Sequence, residues 1–423
     1  MEQTVIAGFG KGTIKFSSDL FPIEGFCGVH DDPHARLAVI RTDESAVAIL
    51  ALELVNVPGH MIASYRKKIA TTFLLEESQV LVHMTHAITT PHEPGPKGPP
   101  DKRPAPTEED IVKQKLFKTA VDSAVAEAIL CTVSDMGSAR MGIATGYCDV
   151  NVNRDINTPY GWWIGEKGDG TVNHKMTVIS VFDEKGKKKG LIVSFGMKPC
   201  AVDNSGMKEG KRLISSEVSG RFCDRMEEEF GVPVMYCMSA GANSVPFKTA
   251  LVDSVDENGK VCQKDYGVEV GFGYVDTISE EMYSEAVKII DKVKTFNVSP
   301  MRWKSISFSH PRRKGGPREL KKELTHIPDG TVEVTADLLC LGNVAIISAK
   351  PEITVELEEQ ILKESPFEHT LLLTMTNGEM KYLPDEGGFE KGTLEAQSSM
   401  LMPGGAVKFK EAVCGALKEL KKV

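Results

Sequence analysis

The chain has 423 residues, 41% hydrophobic and 26% charged, with 59 acidic against 50 basic residues and a formal net charge of −9. That composition excludes a disordered polymer, and the acidic balance excludes a general nucleic-acid binder, which carries a basic excess. No run of 18 or more apolar residues occurs, so no membrane-spanning helix is expected, and the length suffices for a large core without disulfide staples.

The N-terminal stretch MEQTVIAGFGKGTIKF lacks the basic, apolar and small-residue order of a secretory signal, which predicts a cytoplasmic protein. Nine scattered cysteines without a C-x-x-C spacing read as free thiols. His30-Asp31-Asp32-Pro33-His34 groups side chains of liganding type, though adjacent carboxylates also build turns and caps.

Apolar runs predict strands at Ala46–Val55 and Gln79–His86, then at Met176–Phe182, Leu191–Lys198, Val234–Ser239, Leu338–Ala349 and Thr370–Thr376. The second ends at His86, with His92 beyond it, and is followed by a segment, Glu93–Pro106, with six prolines that can only be an extended loop. Imidazoles at a strand end followed by a loop suit a metal site; satisfied structural histidines are the other reading.

Between the strands lie helical patterns. Thr107 and Asp110 form a capping-box signature, and apolar residues at helical spacing continue to about Thr132. A helix opening at Ser215 or Ser216 stops at Gly231, a third spans Thr277 to about Phe296, and a fourth covers about Ala406–Lys421. Strands and helices alternating along the whole length predict an α/β or mixed α+β fold, a large single domain over 1–423 with mixed β-sheets flanked by helices.

Three further segments carry polar chemistry. Asn151–Tyr160, just before Trp162 and Trp163, places Arg154 where its fork could bind a carboxylate or a polarised carbonyl, or simply bond a loop over the core. Pro311–Arg318 is a basic run, read as a solvated loop or as a contact for an anionic ligand or a second copy in a homo-oligomer. Glu352 follows an apolar strand, where it is a ligand, a base or a helix cap.

The order of these pieces resembles the neutral/alkaline, non-lysosomal ceramidase family, in its N-terminal catalytic domain. The matching segments are Gly8-Phe-Gly-Lys-Gly-Thr-Ile14, Gly28–Arg36, Met84-Thr-His86, Asn153-Arg154 with Pro159-Tyr160, Ile214-Ser-Ser-Glu217 with Gly220, Pro351-Glu352, Asn377-Gly378, Tyr382-Leu-Pro384 and Pro403-Gly404. The resemblance implies a hydrolase that cuts an amide bond with water activated by zinc, and the chain leaves no room for the family's C-terminal immunoglobulin-like domain. Carried over by position, His86, Glu352 and Tyr382 are metal ligands, with His92 or water completing the set, and Arg154 lines the site. Lys198 stands where the family has its second zinc-binding histidine, Ile88 where a further histidine is found, and Val245 where it has a serine, with Ser244 one place earlier.

Lysine binds zinc poorly because its ammonium must first lose a proton. Three outcomes follow. The first is a hydrolase for an amide or related acyl bond of a small polar, anionic metabolite, with Zn²⁺ and with Lys198 stabilising the oxyanion. The second is a metal-free lysine-dependent isomerase or lyase, and the third a non-catalytic ligand-binding relative.

Overall fold

The computed structural model describes residues 5–96 and 103–422. Its centre is a sheet whose main strands run, in spatial order, Val234–Met238, Lys188–Phe195, Lys175–Phe182, Gly137–Tyr147, Val5–Thr13, His34–Arg41, Ala46–Leu52 and Val80–Met84. The pairings are antiparallel except at the two edges, where Val80–Met84 lies parallel to Ala46–Leu52 and Val234–Met238 parallel to Lys188–Phe195. A second sheet pairs Met301–Arg313, Pro328–Leu341, Val344–Ala349 and His369–Leu373.

Apolar residues alternate to opposite faces of each strand, so each sheet buries both faces. Phe9, Ile40, Ile49, Leu81, Ile179 and Met235 of the large sheet meet Leu339, Leu341, Ile346, Leu371 and Leu373 of the small one in a shared core. The outer face of the large sheet is covered by helices Gly59–Phe73, Glu108–Asp135, Glu217–Phe230 and Val268–Ile290. The outer face of the small sheet is covered by Val355–Glu364 and Gly405–Lys422. The result is four layers, helix on sheet on sheet on helix, in agreement with the expected mixed fold.

The Gly8-Phe-Gly-Lys-Gly12 motif has a packing cause. A Cβ at Gly8, Gly10 or Gly12 would come within 2.7 Å, 2.2 Å and 2.0 Å of main-chain oxygens of Thr132, Ala128 and Ala124. Glycine at alternate positions lets helix Glu108–Asp135 lie directly on the strand. The predicted capping box is present, with the Thr107 side chain accepting from Asp110 N and the Asp110 side chain accepting from Thr107 N.

Several boundaries differ from the apolar patterns. Leu338–Ala349 is not one strand but the two halves of a hairpin turning at Gly342-Asn343. Gly342 has φ +57°, and a Cβ there would lie 1.8 Å from Asn297 O, so glycine makes the turn that the continuous apolar run hides. The third helix begins at Val268 rather than Thr277, whose hydroxyl bonds back to Gly273 O within the helix, and it ends at Ile290. The strands expected to reach Val55, His86, Lys198 and Thr376 stop at Leu52, Met84, Phe195 and Leu373. Each loses its ladder at the same end of the molecule, which frees the following residues to form a site. The described parts of Glu93–Pro106 are irregular, as expected; residues 97–102, and Met1–Thr4 of the N-terminal stretch, lie outside the described residues.

Candidate active site

The two sheets are stitched together where those strands end. His83 bridges to Thr376, Met84 N donates to Met375 O, Asn377 N to Val82 O, and Thr374 N to Met238 O. His83 is wholly buried in this seam, with Met238 N donating to its Nε2 at 3.0 Å and Nδ1 3.2 Å from Thr376 Oγ1. Burial, only partly countered by a main-chain hydrogen bond, lowers its pKa to about 4, so it is a neutral structural histidine.

Beyond the seam, His86, Lys198, Glu352 and Tyr382 come together from four segments distant in sequence. Glu352 and Tyr382 are direct partners in a short parallel pair, Glu352–Ile353 with Tyr382–Leu383. His86 Nδ1 lies 3.1 Å from Glu352 Oε2, and Lys198 Nζ lies 3.1 Å from Glu352 Oε1. Both are close approaches whose angles depart from good hydrogen-bond geometry, since neither His86 Nδ1 nor Glu352 Oε1 has a hydrogen-bond partner. Lys198 Nζ also donates to the Tyr382 phenol oxygen at 3.0 Å.

Glu352 is 1% and Lys198 2% exposed. Burial works to raise the Glu352 pKa, but His86 and Lys198 pull it down to about 2. Burial works equally against the Lys198 ammonium, and Glu352 and Tyr382 more than offset it, so the lysine is held above its ordinary range. Lys198 is therefore a fixed cation.

A cavity of about 470 Å³ opens onto this cluster, with His86, Glu352 and Tyr382 on its wall beside His92, Arg212 and Arg318. Lys198 is not on the wall; its ammonium stands behind Glu352 and Tyr382. Lys198 therefore does not reach the cavity itself, as direct oxyanion stabilisation requires; its contact on the wall side is with Tyr382.

The backbone that presents these groups is conformationally demanding. His86, Glu217, Met375 and Lys381 all have φ between +51° and +61°, a left-handed region that costs non-glycine residues energy and persists only where surroundings enforce it. Glu217, fully buried, shows how. Its carboxylate accepts from the main-chain N–H groups of Ala201, Val202 and Asp203 at 2.9, 2.9 and 3.2 Å, and from Thr89 Oγ1. It thereby ties the segment after Lys198 to the loop after His86.

The other expected residues are placed as follows. Arg154 is taken up by Glu395, with Nε at 3.2 Å and a terminal nitrogen at 2.6 Å from Oε1, and is not a wall residue of the cavity. Its fork is used in an internal ion pair and not held open for a substrate. His92 reaches the cavity but pairs with Glu24, Nδ1 to Oε2 3.1 Å, and not with the His86–Glu352 cluster. Ser244 is buried, donating to Gly196 O at 2.6 Å and accepting from Asn151, while its carbonyl receives Lys198 N–H at 2.9 Å; it holds the lysine loop. The His30–His34 cluster is structural: Asp31 binds Ser215 and Ser216, and His34 pairs with Glu53. Of the basic run, Arg313 is buried on a strand end, bonding Gln397 O, and Arg318 reaches the cavity. Reading the sequence placed Glu217 in the Ile214-Ser-Ser-Glu217 segment but not as a brace, which depends on main-chain groups of a distant loop, and missed Arg212 as a wall residue, because it stands in no pattern that separates it from other charged residues.

The donor set carried over for zinc does not fit a metal while Lys198 keeps its proton. The ammonium already engages Glu352 and Tyr382, His86 is paired with the same Glu352, and a divalent cation there would meet a fixed positive charge. Among the described residues no three His, Cys, Asp or Glu side chains converge as a metal-binding group, and no helix is long and apolar enough to cross a membrane.

No protein-family model matches the chain, and no curated protein matches its sequence. Solved structures do. The whole chain superimposes on 76% of a structure described as a ceramidase complexed with C2, with a TM-score of 0.73 at 12% identity. It also superimposes on 75% of a neutral ceramidase from Pseudomonas aeruginosa, with a TM-score of 0.72 at 14% identity. At that identity the shared property is the fold: this chain has the architecture of these ceramidase structures.

Proposed function

We propose that the protein is a hydrolase for an amide or related acyl bond of a small polar metabolite, working without a metal at the His86–Glu352–Tyr382–Lys198 cluster. The observation that carries this reading is the Lys198 ammonium wedged between Glu352 and Tyr382, directly behind the wall of the cavity. The ceramidase fold supports the reaction class, since those neighbours are by description ceramidases.

The chemistry follows from these placements. Glu352 lies 3.1 Å from His86 Nδ1, which leaves Nε2 as the ring nitrogen away from Glu352, there to take a proton from water. The water oxygen bonds to the substrate carbonyl carbon, and the carbonyl electron pair moves to its oxygen. Because Lys198 donates to the phenol oxygen, the Tyr382 O–H proton points elsewhere and stabilises that oxyanion, polarised by the charge behind it. The C–N bond then breaks, with His86 returning its proton to the leaving nitrogen.

Lys198 as a Schiff-base nucleophile has less support: its amine is charged and shielded from the cavity. The test is a panel of N-acylated small metabolites assayed by amine release, with and without chelator. Turnover that chelator leaves intact and His86→Asn abolishes is the expected result. Turnover lost to chelator and restored by zinc alone would reject the metal-independent mechanism, and turnover unaffected by His86→Asn would reject the site.

A further inference from the structure

The cavity wall carries two guanidiniums that the catalytic cluster does not use. Each of its carboxylates lies beside a basic side chain: Glu352 beside His86 and Lys198, Glu24 beside His92, and Glu379 beside Lys381 at 2.8 Å. Among the described residues the two guanidiniums have no carboxylate within ion-pair distance. Arg212 is 3% exposed, yet two main-chain carbonyls, Glu24 O at 3.2 Å and Ile88 O at 3.0 Å, are its hydrogen-bond acceptors among the described residues, and its Nε is buried without one. Its guanidinium stacks 4.0 Å from the Phe26 ring centroid, which fixes the plane. Asp203, Glu24 and Glu217 act on it only from beyond ion-pair distance, and burial leaves its pKa lowered. Arg318 donates through Nε to Ser398 Oγ at 2.8 Å and likewise has no carboxylate partner among the described residues.

A buried arginine without an anion is costly, because desolvation of the charge is not repaid by a partner. Proteins keep such a group where a ligand supplies the missing charge, and the planar fork matches a carboxylate or phosphate. We propose that Arg212, with Arg318, forms an anion subsite in this cavity, so that the substrate is an acylated molecule bearing a carboxylate or phosphate on the side of the scissile bond away from Tyr382. This rests on the hydrolase reading for the identity of the ligand as a substrate, but not for the binding of the anion.

The test is calorimetric titration of the full chain with matched pairs: N-acetylglycine against N-acetylglycinamide, and O-phospho-N-acetylethanolamine against N-acetylethanolamine. In wild type, at least one anionic member is expected to bind about tenfold more tightly than its neutral partner, and which pair shows it identifies the group. That preference falls at least about fivefold in Arg212→Gln and in part in Arg318→Gln, an exposed position whose change leaves folding intact. If Arg212→Gln does not fold, Arg212→Lys, which keeps charge but loses the fork, takes its place with the same expected fall. Equal binding of both members of both pairs by wild type overturns the subsite, as does a preference that survives in the Arg212 and Arg318 variants. His86→Asn separates the two proposals: it abolishes turnover if the hydrolase reading holds and leaves the anion preference unchanged. An anion preference without turnover sinks the reaction alone, and turnover without an anion preference sinks the subsite alone.

Discussion

The ammonium of Lys198 donates to the phenol oxygen of Tyr382 at 3.0 Å from a position 2% exposed, so a permanent positive charge backs a hydroxyl that faces the cavity. The two residues are 184 apart in sequence, and neither could polarise anything without the other. In the reaction proposed above, that charge would reach the substrate carbonyl through the phenol's hydrogen bond.

Tyr382→Phe removes the proposed oxyanion donor and leaves the fold intact. It should lower kcat/KM by about 10²–10³, mainly in kcat, as loss of a single oxyanion donor does. Steady-state kinetics on the best substrate of the acyl panel checks this; an unchanged kcat removes Tyr382 from the mechanism.

Lys198→Met keeps volume and removes the charge behind Tyr382. A fall of kcat by roughly tenfold or more with KM nearly constant is expected, since the lysine acts through the phenol and not on the substrate. Borohydride reduction in the presence of substrate should leave wild-type Lys198 unmodified by mass spectrometry; a covalent adduct would instead establish an amine nucleophile.

Glu352→Gln strands the Lys198 ammonium in a buried site and should cost about 3–5 kcal/mol in urea unfolding. The wild-type contribution also has a pH window. The folded pKa of about 2 lies below the ordinary 4.5, so the contribution is complete above pH 4.5 and is lost as pH falls towards 2. The acid limb of stability should therefore be shallower in the variant.

His83 has a separate window. Its folded pKa of about 4 lies below the ordinary 6.5, so the unfolded chain takes up the proton first and stability falls as pH drops from 6.5 to 4. The shift corresponds to roughly 3 kcal/mol as an upper figure. His83→Gln should unfold at lower urea at pH 7, having lost its bonds to Met238 N and Thr376, while showing a flatter profile between pH 6.5 and 4. A profile as steep as wild type would assign that limb to His34, also lowered to about 4 by burial and by Arg36.

Glu217→Ala removes the acceptor of three main-chain N–H groups that become orphaned in the interior. A loss of at least about 2–3 kcal/mol is expected, and hydrogen exchange at Ala201–Asp203 should accelerate ahead of the rest of the core. Uniform acceleration across the sheet would show that Glu217 acts globally and not as a local brace.

Much of the fold was legible because its signals are local. The capping box at Thr107, the stop at Gly231 and the apolar strands of the two sheets follow from hydrogen bonds and side-chain alternation among near neighbours. Boundaries failed where a local pattern had two readings, as at Leu338–Ala349, whose uninterrupted apolar side chains serve two antiparallel strands equally well. Motif order pointed to His86, Glu352, Tyr382 and Lys198, and the structure does bring these four together. The same reasoning placed Arg154 as a substrate-binding fork, which Glu395 occupies.

By itself, then, the sequence determined the elements, their alternation and which residue types were available at the strand ends, because each depends on a few consecutive side chains. Only the tertiary structure decided that Lys198 stands behind Tyr382 and not in the cavity, that Glu395 claims Arg154, and that Arg212 and Arg318 have no carboxylate partner among the described residues. Those outcomes depend on which charges long-range packing brings within about 3–4 Å of one another, a distance over which pairing and burial set protonation and reactivity.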